Sequence, residues 1–167
     1  RRNDIAKRIT QGIPRSCWRD KVEIKSGDQE ILKDEMIKLI KLGMFKKAER
    51  ADTLNRIGKF SVLYVGIHDN LDPKDPIGSS NPASMNNVYF HPYAYDGIVI
   101  KTWDMNPESP RCGLPETYQL QVMNRGDKEK DINTKSFVVH HSRVVHMAEG
   151  ALDSDVEGIP ALEGVVN

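Results

Sequence analysis

The sequence predicts an α+β fold, with N-terminal helices packed on a mainly antiparallel β-meander. Up to Gly58, apolar residues recur at three- and four-residue spacing. From Lys59 the period changes to short β-branched and aromatic runs. Turns rich in Gly, Pro and Asn, not further helices, separate those runs. The chain divides into a helical segment 1–58, a β-rich segment 59–150 containing a long loop 68–87, and an acidic loop with the start of a following helix at 151–167. Together these read as one partial domain.

Residues 1–13 form a short helix with Ile5 and Ile9 on one face, closed at Gly12 and stopped by Pro14. Arg15 and Arg19 then flank Trp18. EIKSGDQE is a loop in which Asp28 supplies an N-cap. QEILKDEMIKLIKLG carries the strongest helical pattern: Ile31, Leu32, Met36, Leu39 and Ile40 mark one buried face, and Gly43 is its C-cap. MFKKAERADTLNRIG gives another helix through Phe45, Ala48, Ala51, Leu54 and Ile57, ended by Gly58. KFSVLYVGI is apolar on both faces, as expected of a strand buried on both sides beneath the helices. The polar stretch HDNLDPKDPIGSSNPASMNN is a surface loop of a length associated with function. VYFHPY, GIVIKTWD, TYQLQVM, SFVVHH and RVVHM are the strands of the meander, and both SFVVHH and RVVHM are expected to pair with TYQLQV. Gly113 and Pro115 set a rigid turn before that strand. The tail EGALDSDVEGIPALEGVVN is acidic, then opens a helix with Pro160 in its first turn.

The 167 residues carry 24 basic and 24 acidic side chains, giving a net charge of zero. That balance argues against a whole-surface grip on DNA or anionic lipid, and leaves room for a local basic patch. Arg1, Arg2, Lys7, Arg8, Arg15, Arg19 and Lys21 make the N-terminal segment positive. Arg15 and Arg19 are its candidates for phosphate contact; the preferred reading is a solvated face answering Asp153, Asp155 and Glu157. Cys17 and Cys112 form no CxxC pair, which argues against a zinc knuckle or disulfide framework. No apolar run approaches the roughly 20 residues of a bilayer span, and no signal-peptide pattern opens the chain. The sequence begins RRNDIAKRIT without Met and ends at EGVVN as a new segment starts, so it reads as an internal fragment of a longer polypeptide.

The stretch FVVHHSRVVHM holds three of the five histidines. In an unbroken strand His140 and Ser142 share a face opposite His141, with His146 on the His140 side. Zinc needs three or four converging ligands, and two histidines on one face do not supply them. His140-x-Ser142 fits one half of the paired H-x-S/T signature of two-histidine phosphoesterases, but the other histidines sit in HDN, HPY and HMA, so the second half is missing. There is no G-x-S-x-G, P-loop or G-x-G-x-x-G. Arg143 is a charge inside an apolar run and needs carboxylate or carbonyl partners. Ser142 can bond backbone at a kink. His141, Ser142 and Arg143 are therefore expected to form a polar clasp tying the meander to neighbouring chain, in this subunit or the next. Trp103, Tyr93, Tyr95 and Tyr118 are expected to pack in core or interface.

Taken in order, ADTLNRIGKFSVLYVGI, VYFHPY, Trp103, NPESPRCGLPETYQLQV, VVHHSRVVHMAEG and GIPALEGVVN resemble the wing region of tailed-bacteriophage portal proteins. The likeness is strongest to a prophage portal-like family whose N-terminal region is also known as an anti-CBASS protein domain. It covers most of residues 45–167, and reaches residues 1–44 through Ile13, Pro14 and Arg19. The resemblance implies a structural head-tail connector with no catalytic residues, cofactor or metal. It implies a homo-oligomeric ring, usually a dodecamer, at the portal vertex of the virion capsid and assembled in the bacterial host cytoplasm. Double-stranded DNA passes through such a ring during packaging and ejection. The implied partners are the terminase large subunit, head-completion or adaptor proteins and the major capsid protein, with no membrane. His141, Ser142, Arg143, Trp103, Pro115 and Tyr118 are then structural or interface residues. Two other readings compete: a prophage phosphoesterase acting on cyclic oligonucleotides, and a minor head or adaptor protein on the same fold.

Overall fold

The computed structural model describes the backbone of residues 2–20, 29–78, 88–122 and 135–163, and the side chains of residues 4–20, 34–78, 88–122 and 135–163. Three helices come first, α1 (Arg2–Cys17), α2 (Gln29–Lys41) and α3 (Met44–Ile57). Six strands follow: β1 (Ser61–Ile67), β2 (Val88–Ala94), β3 (Ile98–Trp103), β4 (Pro115–Val122), β5 (Lys135–His140) and β6 (Val144–Met147). The α+β class is as predicted.

Pro14 does not stop α1, which runs on to Cys17. A proline inside a helix removes one N–H and crowds the preceding turn. Here the Pro14 ring is fully buried, and the next turn is held by Trp18 N–H donating to Pro14 O at 2.9 Å. Trp18 Nε1–H donates to Asp52 of α3 at 2.9 Å, so tertiary contact outweighs the local penalty. The Asp28 cap lies outside the described residues. Gly43 ends α2 in the left-handed region (φ 69°). The face expected to be buried on α2 is not: Met36 and Leu39 are half-buried and Ile40 is 59% exposed. The neighbour that α2 leans on is α3, which covers only part of that stripe.

The strands form two three-stranded antiparallel sheets, in orders β2-β1-β6 and β3-β4-β5. One-turn 3-10 helices at Tyr95–Gly97 and His141–Arg143 carry the chain from the first sheet to the second and back. Segments 61–67, 88–103, 115–122 and 135–147 thus make a meander that returns to its start. This corrects the expected pairing of RVVHM: β5 pairs with β4, whereas β6 pairs with β1 (Val62 opposite His146). The turn at His141–Arg143 breaks the strand and turns the chain between sheets, as bends do at the corners of orthogonally packed sheets.

Strand β1 is buried on both faces, as its sequence predicts. Val62 and Tyr64, with Phe60, face Ile98, Tyr118, Leu120 and Val139 of the second sheet. Leu63 faces Ala48 and Ala51 of α3, with Trp18, Met44, Phe90 and Met147 around it. The domain therefore has three layers, helices, first sheet and second sheet, with β1 in the middle. Two alanines on α3 let the helix approach the strand closely, and Ser61 Oγ–H donates to Ala51 O at 2.7 Å across that contact.

The tail is stitched back onto this body. Gly158 N–H donates to Lys59 O, Ile159 N–H to Glu149 O and Ala161 N–H to Arg56 O. Glu157 pairs with Lys59 at 2.7 Å, not with the N-terminal basic residues, because the tail runs beside the start of β1. Glu163 N–H donates to Pro160 O, one turn at the place where a helix was expected to open. No helix among the described residues is long and apolar enough to cross a membrane.

Candidate functional site

The described residues converge on one polar assembly, the corner between β5 and β6. Arg143 is 1% exposed. Its Nη2 donates to Asp69 Oδ2 at 2.7 Å and its Nε to Asp75 O at 3.0 Å. A buried guanidinium requires both kinds of partner, and both come from the first part of the 68–87 loop. Hydrogen bonding from Arg143 holds the Asp69 carboxyl below its ordinary range, against an opposing effect of desolvation.

The corner binds the loop at further points. His140 N–H donates to Pro73 O at 2.9 Å. Ile77 N–H donates to Ser142 Oγ at 3.0 Å. Ser142 Oγ lies 3.0 Å from His140 Nδ1, and Ser142 N–H donates to that same nitrogen at 3.2 Å. Nδ1 of His140 thus carries the lone pair, and the H-x-S unit caps its own 3-10 turn. Ser142 and Arg143 thus make polar contacts to loop residues of the same chain. His141 makes none of these bonds; it lies against His140, ring centroids 4.2 Å apart.

The other histidine of the stretch belongs to the core. His146 stacks on Phe60 at 4.6 Å. Its Nε2 donates to Val156 O at 2.8 Å, and its Nδ1 lies 3.2 Å from Tyr118 OH. A neutral ring protonated on Nε2 satisfies both contacts. Burial lowers the pKa of His146, with the bond to Val156 opposing. Burial likewise lowers His140 and His141, assisted by Arg111 at both. Burial raises Tyr118 to about 12.

Tyr118 is 2% exposed and a core residue, as expected. Pro115 is buried at the start of β4, and its carbonyl accepts from Arg111 Nη2 at 2.9 Å. Gly113, in the left-handed region at φ 84°, closes the preceding turn by donating to Asp104 O. Trp103 is 43% exposed, so it is not core; β3 ends there, and its pairing with β4 shifts register on either side of Thr102. Arg15 and Arg19 are exposed, Arg19 lying 3.8 Å from the equally exposed Asp20. Neither is gathered with the clasp residues.

Sequence reasoning missed Asp69, Asp75 and Pro73. Its one pointer was the need of Arg143 for partners, which no spacing could locate at a separation of 74 positions. It also missed Arg56, 8% exposed and salt-bridged to Glu149, which joins α3 to the end of β6. Among the described residues, no group of three or more His, Cys, Asp or Glu side chains could hold a metal ion.

The described residues thus build a layered α+β scaffold in which the buried Arg143 anchors a loop. Comparison gives the particular family. The profile of the phage portal protein family matches residues 1–167, the whole chain, and the chain belongs to that family. Comparison with curated proteins gives no match. Membership assigns a phage portal-type structural role, as a component associated with the capsid.

Proposed function

We propose that this chain is wing material of a tailed-phage or prophage head-tail connector, and that it works as part of a homo-oligomeric ring. The observation that carries the reading is the family match over residues 1–167. DNA passes through the ring during packaging and ejection; the ring sits at the portal vertex and meets the terminase large subunit, head-completion proteins and the major capsid protein. The clasp supports this role physically. Arg143 ties residues 69 and 75 to the strand corner through one desolvated guanidinium, which suits a rigid structural part. Ser142, Arg143, Pro115 and Tyr118 then fix the frame, with His141 packed on His140, while the exposed Trp103 is offered to a neighbour.

Negative-stain microscopy and native mass spectrometry of the full-length polypeptide test this. Rings are expected. A protein that stays monomeric at micromolar concentration and above would count against the connector reading.

A further inference from the structure

Two surfaces lie beside opposite edge strands of the β2-β1-β6 sheet. Beside β2 is an open groove of about 410 Å³ between α3, β2 and the end of β4. Leu54, Pro92 and Val122 give it apolar walls, and Arg50 and His91 stand among its lining residues. Lys47 and Arg50 are close enough to His91 to depress its pKa, after burial itself. Asp96 is the one carboxylate among the lining residues. Beside β6 runs the tail, where Leu152 is 81% exposed and is followed by the exposed Asp153 and Asp155. An isolated leucine that exposed, next to two carboxylates, suits a groove that presents Leu54 and Val122 and in which Arg50, with Lys47 nearby, outweighs the single carboxylate of Asp96.

We infer that the Leu152–Asp155 loop of one copy docks into the Arg50/His91 groove of the next. The inference rests on the ring reading above and names its contact. Because the two patches differ and flank opposite edges, the contact is heterologous, the type that closes into rings when the rotation permits. Leu152 enters between Leu54, Pro92 and Val122. Asp153 and Asp155 meet Lys47 and Arg50. The small groove is the specific anchor of a larger interface, since stable interfaces bury about 800 Å² per partner.

The test uses the full chain and variants at exposed positions, with circular dichroism to verify folding. Arg50→Glu alone, and Asp153→Lys with Asp155→Lys, are each expected to lower the ring fraction in native mass spectra about tenfold. Combining all three substitutions is expected to restore it. In a Cys17→Ser, Cys112→Ser background, mixing a His91→Cys protein with a Leu152→Cys protein is expected to give cross-linked dimers under mild oxidation, and neither protein alone should do so. If wild-type rings form but survive both charge reversals and no mixed cross-link appears, the contact is elsewhere and the ring reading stands. If the wild type never leaves the monomer, both fall.

Discussion

At the residue scale, Arg143 and Asp69 act as one unit. Their side chains are 1% and 6% exposed, and they meet at 2.7 Å. Removing one partner of a desolvated pair leaves the other charge uncompensated, which is worse than removing both. Arg143→Ala is therefore expected to lower the melting temperature by about 10 °C, and Arg143→Met with Asp69→Leu to lower it less. A double variant no more stable than Arg143→Ala would sink this account. Two glycines make a sharper contrast. A Cβ on Gly158 would sit 2.1 Å from the backbone oxygen of Glu149, within the segment that stitches the tail to β6. A Cβ on Gly66 meets only the far end of the Tyr89 ring, and Tyr89, 45% exposed, can swing outward at the cost of its contacts with Tyr64 and His68. Gly158→Ala should cost about 3 kcal/mol and Gly66→Ala well under half of that, as read from denaturant midpoints.

At the element scale, the decisive feature is the one-turn corner at His141–Arg143. It hands the chain from one sheet to the other and binds residues 73–77 through His140 and Ser142. The unprotonated Nδ1 of His140 accepts from Ser142 N–H, and protonation there abolishes that bond. The rings of His140 and His141 face Arg111, Glu116, Asp75, Asp104 and Arg143. Both rings titrate below the ordinary 6.5, so the unfolded chain binds more protons as pH falls past that value. Stability is complete above 6.5 and declines as pH drops toward the folded-state values. The melting temperature should fall between pH 7 and pH 5, and His140→Asn, which keeps an acceptor in place of Nδ1, should flatten that slope. An unchanged slope would show that the corner is not what titrates. This corner was the least legible element in the sequence. The sequence separates SFVVHH from RVVHM and allows a kink at Ser142, but it sends both strands to β4, and only the pairing of β6 with β1 shows that the break turns the chain between sheets. Helices α2 and α3, the left-handed Gly43 and the doubly buried β1 were all readable, because periodicity and glycine chemistry are local. Pro14 misled because its penalty is local, whereas the burial and the Trp18–Asp52 bond that offset it are tertiary. The loop partners of Arg143 were unreadable for the same reason.

At the scale of the whole molecule, β1 belongs to two cores at once. Leu63 closes the helix layer with Ala48 and Ala51, while Val62 and Tyr64 close the layer between the sheets. Adjacent residues of one seven-residue strand therefore anchor opposite halves of the protein. Neither half can lose β1 without exposing the apolar surface of the other, so the layers are expected to unfold in one transition. The chain carries its own probes for this, since its two tryptophans lie in different layers. Trp18 packs against the Ala48, Ala51 and Leu63 cluster, and Trp103 ends β3 in the second sheet. A Trp103→Phe protein reports the helix layer through Trp18; a Trp18→Phe protein reports the sheet layer through Trp103. After each background is corrected for its own stability by far-ultraviolet circular dichroism, the fluorescence and dichroism midpoints should coincide in both. Leu63→Ala should then move both probes together, although it touches only the helix side, and the cavity it leaves should cost about 3 kcal/mol. If only the Trp18 signal moves, the helices peel away separately from the closed meander, and β1 is not the shared keystone that its two-sided burial makes it.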